Sequence, residues 1–318
     1  MLPSPAVADQ SRFVTAMQPM RVEPRVRQPQ PATMMVTATV TGFGDAGPAL
    51  LASGACCAWP LPPDPTCART ARQVYREAAG SLGMRGELID DGITMASELA
   101  ANTLHAGTEG ELAELRPAAG APELWLYVRR AHGQWELTCK VFDSLRGWRQ
   151  GAPPEPGRSA PEEAVTGRGL QVVGALSGGR WGHHLTRSRL GGWKVPGKAV
   201  WFALPVPAPA HRAPDWATRS RLTACQAARE LAAMLADRGL GERLMVADEP
   251  AAGMAVLSVQ CGLTIWCRDR IICWRTRAGR YQRQAVTDLV DSAEQIVSTC
   301  EEIDRGVGAG YPGLDRVR

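Results

Sequence analysis

Three short segments carry side chains whose types and spacing could do chemistry together. In Ser97-Glu98-Leu99-Ala100-Ala101-Asn102-Thr103-Leu104-His105, Glu98 and Asn102 stand four residues apart with His105 one turn further, so on a helix they share a face. A carboxylate beside an amide oxygen offers a general base next to a hard oxygen ligand of the kind Mg²⁺ accepts. Cys139-Lys140-Val141-Phe142-Asp143 delivers a carboxylate to the end of a strand, where it can accept a hydrogen bond from an exocyclic amine. Thr166-Gly167-Arg168-Gly169-Leu170 is a glycine-rich turn entering a helix, whose N–H groups and dipole can hold phosphate oxygens, although no GxxxxGK[ST] loop is present. Each has a plainer reading: a solvated helix face, an Asp that starts a turn through its own side chain, and a common turn.

The elements that must position these residues follow from periodicity. The spacing predicts a helix from about Cys67 to Leu82, through Ala71, Val74, Ala78 and Leu82, with Gly83 at its stop. A second helix, Glu87 to His105, has Ile89, Ile93, Ala96 and Ala100 on one side and Asp91, Glu98, Asn102 and His105 on another. Strands are expected at Glu123 to Arg130 and Gln134 to Phe142, joined by a short hairpin connection. Residues 144–167, rich in Gly and Pro, read as a lid, followed by a helix from Arg168 to Ser177 and strands near Trp181 to Thr186 and Lys198 to Leu204. The order α, α, β, β, lid, α, β, β predicts an α+β chain with a two-layer sandwich, helices on one sheet face. After a proline-rich linker, a helix capped by Asp215 is expected from Trp216 to Arg238, ending at Gly239, with strands Met254 to Val259, Leu263 to Arg268 and Ile271 to Arg275 and a helix Val286 to Ile303. The division is therefore a disordered Pro-rich tail at 1–54, a first domain at 55–206, a linker at 207–214, a small α-β-β-β-α domain of unknown function at 215–306 and a tail at 307–318.

Composition narrows the rest. With 318 residues, 45% hydrophobic and 21% charged, the chain can bury a sizeable core and is neither disordered nor fibrous. Its formal charge of +4, from 36 Lys+Arg against 32 Asp+Glu, demands neither nucleic acid nor membrane. No apolar run is long enough to span a bilayer and no signal peptide opens the chain, so a cytoplasmic location is expected. The nine cysteines read as reduced thiols: Cys56 and Cys57 lie in a poorly structured stretch, and Cys261, Cys267 and Cys273 read as strand thiols rather than metal ligands. Local charge is less even. From Ala164 to Pro214 there is no acidic residue, while Arg168, Arg180, Arg187, Arg189, Lys194, Lys198 and Arg212 add positive charge, an asymmetry that suits an anion.

Taken in order, the three segments resemble the histidine-kinase-like ATPase superfamily of gyrase, heat-shock chaperones and mismatch-repair proteins. Glu98 to Asn102 resembles its N box, Asp143 its G1-box aspartate and Gly167 to Leu170 its G2 box. The chain is most similar to small actinobacterial regulators related to anti-sigma-factor serine kinases. That similarity rests on Trp59-Pro60-Leu61-Pro62, Ser97-Glu98-Leu99 with Asn102 and His105, Gly167-Arg168-Gly169-Leu170, Trp181-Gly182, and Gly197-Lys198 with Val200-Trp201, over about residues 56–206. The resemblance implies a two-layer sandwich of that ATPase type holding ATP and Mg²⁺. Glu98 would act as base, Asn102 as the Mg²⁺ ligand and Asp143 as reader of the adenine amine. Gly147, Gly167, Arg168, Gly169, Leu170 and Lys198 would complete the nucleotide site. It further implies transfer of the γ-phosphate to a serine of an antagonist protein, and a protein partner, sigma factor or anti-sigma antagonist; a homodimer is compatible with it, and neither nucleic acid nor membrane is expected.

Two departures favour an alternative. Asp143-Ser144-Leu145-Arg146-Gly147 keeps only the second glycine of Asp-x-Gly-x-Gly, so Leu145 would crowd a close backbone approach, and Ala199 replaces a hydroxyl that often follows Gly-Lys. A nucleotide-responsive protein-interaction module without turnover would tolerate both. In the C-terminal region Arg268, Arg270, Arg275, Arg277, Arg280 and Arg283 interleave with Trp266, Trp274 and Tyr281, compatible with single-stranded nucleic acid, an acidic protein, or a solvated hairpin with structural tryptophans.

Overall fold

The computed structural model describes residues 50–105, 121–148, 168–207 and 220–309, apart from 52, 132, 261 and 269. The expected tail up to residue 49, the lid from 149 to 167, the linker from 208, and Asp215 and Trp216 lie outside the described residues. Helix α1 (Cys67–Ser81) buries Ala71, Val74, Tyr75 and Ala78, the i, i+3, i+4, i+7 stripe of an amphipathic helix. It stops at Gly83, whose φ of 79° is open to glycine at little cost. Helix α2 (Glu87–His105) carries Glu87 and Asp90 in its first turn, where negative charge suits the helix dipole. Helix α3 (Arg168–Leu176) packs on α2.

Sheet one runs β1-β2-β3-β5-β4, all neighbours antiparallel, from β1 (Cys57–Pro60), β2 (Glu123–Ala131), β3 (Gln134–Asp143), β4 (Trp181–Arg187) and β5 (Pro196–Pro205). Its first face carries Leu124, Leu126, Val128, Leu137, Cys139 and Val141 against α1, α2 and α3. Strand β1 corrects the expectation of a poorly structured stretch around Cys56 and Cys57. Cys57 pairs with Leu126 and Trp59 with Leu124, both cysteines are buried, and burial pushes the Cys57 thiol up to about 12. Four residues ending in proline are too short to display alternation, which is why the sequence hides this strand.

Sheet two is an antiparallel meander, β10-β9-β8-β7-β6, of β6 (Met245–Glu249), β7 (Met254–Gln260), β8 (Leu263–Arg268), β9 (Ile271–Arg275) and β10 (Tyr281–Ala285). The two strands not foreseen, β6 and β10, are its edges. Every residue of β6 is exposed and β10 buries none, so neither shows an apolar alternation. Helix α4 (Ala224–Leu235) also corrects an expectation, since it starts at Ala224 rather than Trp216. Thr223 caps it by accepting from the Gln226 N–H while the Gln226 side chain accepts from the Thr223 N–H, a reciprocal pair that fixes the start. Gly239, at φ 74°, ends a distorted turn that follows α4.

Helix α5 (Leu289–Ala309) binds the two sheets together. With α4 it covers the inner face of sheet two, and it also packs on β2 and β4, on the second face of sheet one. That face carries Trp125 and Phe142, stacked with ring centroids 5.6 Å apart, and Tyr127 and Ala199 against Val290. The contact is also ionic. Asp291 accepts from the Tyr127 hydroxyl at 2.8 Å and from Arg129 at 3.3 Å, and Asp288 from the Arg130 N–H at 3.0 Å. Glu294, fully buried, receives Arg189 at 2.6 Å, Lys140 at 3.4 Å and Arg238. Glu301 receives Arg187 and Arg146. Burial alone would raise the Glu294 carboxyl, but Arg238, Arg189 and Lys140 outweigh it and hold the group well below the ordinary carboxylate range.

Removing one partner of such a set leaves buried charge uncompensated, so Glu294→Ala is expected to cost about 3–5 kcal/mol in urea unfolding. A second expectation concerns pH. Burial first, and Lys140 next, lower His184 from 6.5 to about 3, so it is neutral in the fold while the unfolded chain binds a proton there. The unfolded state therefore holds more protons between those values, and stability falls as pH drops from 6.5 toward 3. His184→Gln should flatten the urea midpoint between pH 6.5 and 5, above the range in which Glu294 protonates in the unfolded chain near 4.5. A slope equal to wild type would contradict it.

Candidate functional site

Helix α2 turns Met95, Ala96, Leu99 and Ala100 into the core, and that phase leaves half-buried Glu98 and exposed Asn102 on the flank where α3 packs. The second residue of α3 is Gly169. A Cβ there would sit 2.7 Å from Glu98 Oε2 and 3.6 and 3.7 Å from the Asn102 amide nitrogen and oxygen. The glycine is needed for space rather than for its backbone angle. Three of the sequence-predicted site residues are therefore brought together by helix packing. Leu170 is half-buried and packs on the core, a structural role. Gly167 and the side chains of Arg168 and His105 lie outside the described residues.

Asp143 and Lys198 are direct cross-strand partners on β3 and β5, the two strands that α2 lies against. They form a buried ion pair of 2.9 Å, with Asp143 5% and Lys198 6% exposed. The other Asp143 oxygen accepts from the Leu145 N–H at 3.0 Å, so the carboxylate also starts a turn, the plainer role considered from sequence. The Lys198 ammonium donates in addition to the Leu145 carbonyl and lies 5.4 Å from the centre of the Trp148 ring. Leu145 is buried beside them, and Gly147 is exposed with open space around its Cα.

The sequence did not single out why Gly197 must precede Lys198. A Cβ at Gly197 would meet the Asp143 carbonyl at 2.3 Å and the Phe142 ring at 2.6 Å, so only glycine lets β5 approach the end of β3 closely enough for the pair. Gly182 plays a similar part against Trp201, 3.0 Å from a would-be Cβ.

The acid-free stretch is charged for a different reason from the one its composition suggested. Arg187 and Arg189 face Glu301 and Glu294 of α5, Lys198 faces Asp143, and Lys194 and Arg180 donate to backbone carbonyls. The signal that could have revealed this is the spacing of Asp291, Glu294 and Glu301, which puts three acids on one side of a helix otherwise amphipathic. The C-terminal cluster divides as well. Trp274 points inward at 1% exposed, whereas Trp266 and Tyr281, at 41% and 72%, share the outer face of sheet two with Arg268, Arg275 and Arg283. Cys267 is inward and buried, its thiol pushed up to about 12 by burial, while its six-residue neighbour Cys273 sits on the other face, so the two do not converge. Cys261 lies outside the described residues.

Among the described residues no helix is long and apolar enough to cross a membrane. No protein-family model matches the chain, and no curated protein matches it.

The Asp143–Lys198 pair should behave as one unit. In a double-mutant cycle with Asp143→Asn and Lys198→Met, a coupling of about 1–3 kcal/mol is expected from denaturant unfolding. Additivity within about 0.5 kcal/mol would show that the pair does not hold the strand ends together.

Proposed function

We propose that residues 56–206 form an ATP-binding regulatory domain of the histidine-kinase-like ATPase type, close in kind to anti-sigma-factor serine kinases. The observation that carries the reading is the convergence of Glu98, Asn102 and Gly169. A carboxylate and an amide group stand near each other, and the second residue of the adjoining helix has no side chain to fill the space beside them. This donor set suits Mg²⁺, which takes oxygen ligands and keeps several waters, and Asn102 is the residue to hold it. Bound Mg²⁺ would neutralise charge on the phosphates. Glu98 accepts the proton of an attacking serine hydroxyl as the γ-phosphoryl passes to that oxygen and ADP leaves, so the protein contributes positioning and a base. The phosphoacceptor would be a serine of an antagonist protein, and the partner a sigma factor or its anti-sigma antagonist.

A second reading, a nucleotide-responsive interaction module without turnover, is favoured by the adenine end. Both Asp143 oxygens already hold a donor, from Lys198 and from Leu145, and the buried Leu145 side chain occupies the place where a glycine would leave room. Binding there would compete with the ion pair and lower affinity.

Gly169→Ala separates function from folding. The atom met at 2.7 Å is the end of the mobile Glu98 side chain, and alanine is the better helix former, so the melting temperature should hold or rise. Calorimetric ATP affinity in Mg²⁺ should fall about tenfold or more, and likewise in Asn102→Ala. Equal affinity in wild type and both variants would remove the ATP reading. With γ-labelled ATP and candidate antagonist proteins, label should move to a serine in wild type and not in Glu98→Ala; ATP binding without any transfer would leave the second reading in place of the first.

A further inference from the structure

Helices α4 and α5 both lie on the inner face of sheet two, where Leu257, Ile265, Cys267, Ile272 and Trp274 are packed. The outer face has no such cover. Among the described residues none of the side chains that β7 to β10 turn outward is buried, and those of β8 and β10 are exposed throughout. What such a face can hold is set by the side chains that stand on it.

Arg268, Arg275 and Arg283 come from three neighbouring strands, with Trp266 and Tyr281 exposed among them. Register fixes the arrangement. Trp266 is opposite Cys273, Cys273 opposite Arg283 and Arg275 opposite Tyr281, so the two aromatic residues are two strands apart, roughly 10 Å at the usual strand spacing. The Arg275 guanidinium lies 5.9 Å from the centre of the Tyr281 ring and gives its Nε–H to the Gly279 carbonyl at 3.1 Å. No carboxylate answers these cations. Among the described residues β7 to β10 turn no acid outward and none of the three arginines forms an ion pair, while Glu249 stands on the edge strand β6. On sheet one the opposite holds, with Arg129, Arg187, Arg189 and Lys198 each held by a carboxylate.

A fourth arginine stands in the turn that joins Arg268 to Ile271. Arg270 is exposed and has φ 65°, a left-handed conformation that glycine adopts freely and that costs any other side chain energy. Among the described residues it is the one non-glycine with a positive φ. A glycine would relax the turn; the arginine instead adds a cation at the end of the strand that carries Trp266 and Arg268.

We propose that the outer face of β8, β9 and β10 binds single-stranded nucleic acid, its arginines taking phosphates and Trp266 and Tyr281 stacking on bases. Phosphates need cations that carry no counter-charge of their own, and unpaired bases need flat π-faces beside them; this face offers both together. An acidic peptide would use the arginines and leave the rings idle. A duplex keeps its base faces in the stack, and four strands side by side, about 14 Å across, exceed the roughly 12 Å of its major groove.

The test is fluorescence anisotropy of labelled oligouridylate and oligothymidylate, each about 12 nucleotides long, titrated with the full chain. At least one strand should bind, and the ratio of the two affinities reads the 2′-hydroxyl. With three or four phosphates contacted, log affinity should fall against log salt with a slope of about −2 to −3, a loss of roughly 15-fold or more between 50 and 200 mM. Arg268→Ala, Arg275→Ala and Arg283→Ala should each flatten that slope by about 0.7, whereas Trp266→Leu should weaken binding about fivefold or more with the slope unchanged. All four side chains are exposed, so the variants should keep the wild-type melting temperature. Failure of both strands to bind overturns the proposal, as does binding unchanged in the triple arginine variant. A duplex of the same length, polyglutamate or a phosphatidylserine vesicle binding as tightly as the single strand overturns it too. The α2 site lies on the other sheet, so none of these outcomes bears on the ATP reading.

Discussion

The fold is organised around a single carboxylate. Glu294 is fully buried and shared by Arg189, Arg238 and Lys140, which come from three separate parts of the chain. Charges taken out of water are tolerable only as a set, because each member alone would carry its desolvation cost unrelieved. The set fixes the geometry around it. Lys140 projects from the second face of sheet one, Arg189 from the segment after β4 and Arg238 from the turn after α4, so α5 cannot leave that face without stranding all three cations. The apolar contact of Val290 with Trp125, Tyr127 and Phe142 adds a driving force without direction. The ion set supplies the register.

This constraint also explains features of the sequence that point elsewhere when read alone. Strands β2 and β3 are buried on both faces over most of their length, unusual for a sheet covered by helices on one side only. The absence of acids from 164 to 214 is consistent with a surface whose counter-charges are delivered by a helix a hundred residues later. Acids between Arg187 and Lys198 would compete with Glu294 and Glu301 for the same cations.

What was legible in the sequence was local. α1, α2, β2, β3, β8 and β9 each bury one or both faces with a clear period, and their bounds fall within a residue or two of the apolar pattern. The mixed α+β class with antiparallel sheets follows from them. The edge strands β6 and β10 have no buried face to signal them, β1 is too short, and the start of α4 depends on Thr223 and Gln226 meeting, a signal that Asp215 before an apolar run obscured. For the candidate site, Glu98 and Asn102 were readable because one helix sets their spacing. Their contact with Gly169 was not readable, because it depends on how α3 packs on α2. The Asp143–Lys198 pair was not, because it requires knowing that β3 and β5 are neighbours in register, and long-range pairing leaves no trace in spacing.

The two faces of sheet one are not independent, and β3 is where they meet. Lys140 belongs to the ion set on the second face, and three residues later the same strand ends in Asp143, paired to Lys198 and turned by its bond to the Leu145 N–H. Packed interiors transmit small displacements because they have little free volume to absorb them. A change in how α5 sits against Lys140 therefore acts on the strand whose end carries the buried carboxylate, and the converse holds equally, since coupling between sites is reciprocal. β5 provides a second route: Lys198 lies near one end, and Trp201, three residues on, lies under Arg129 on the second face. The link runs through two adjacent strands, each with one end at the Asp143–Lys198 pair and its middle among the charged groups of the opposite face.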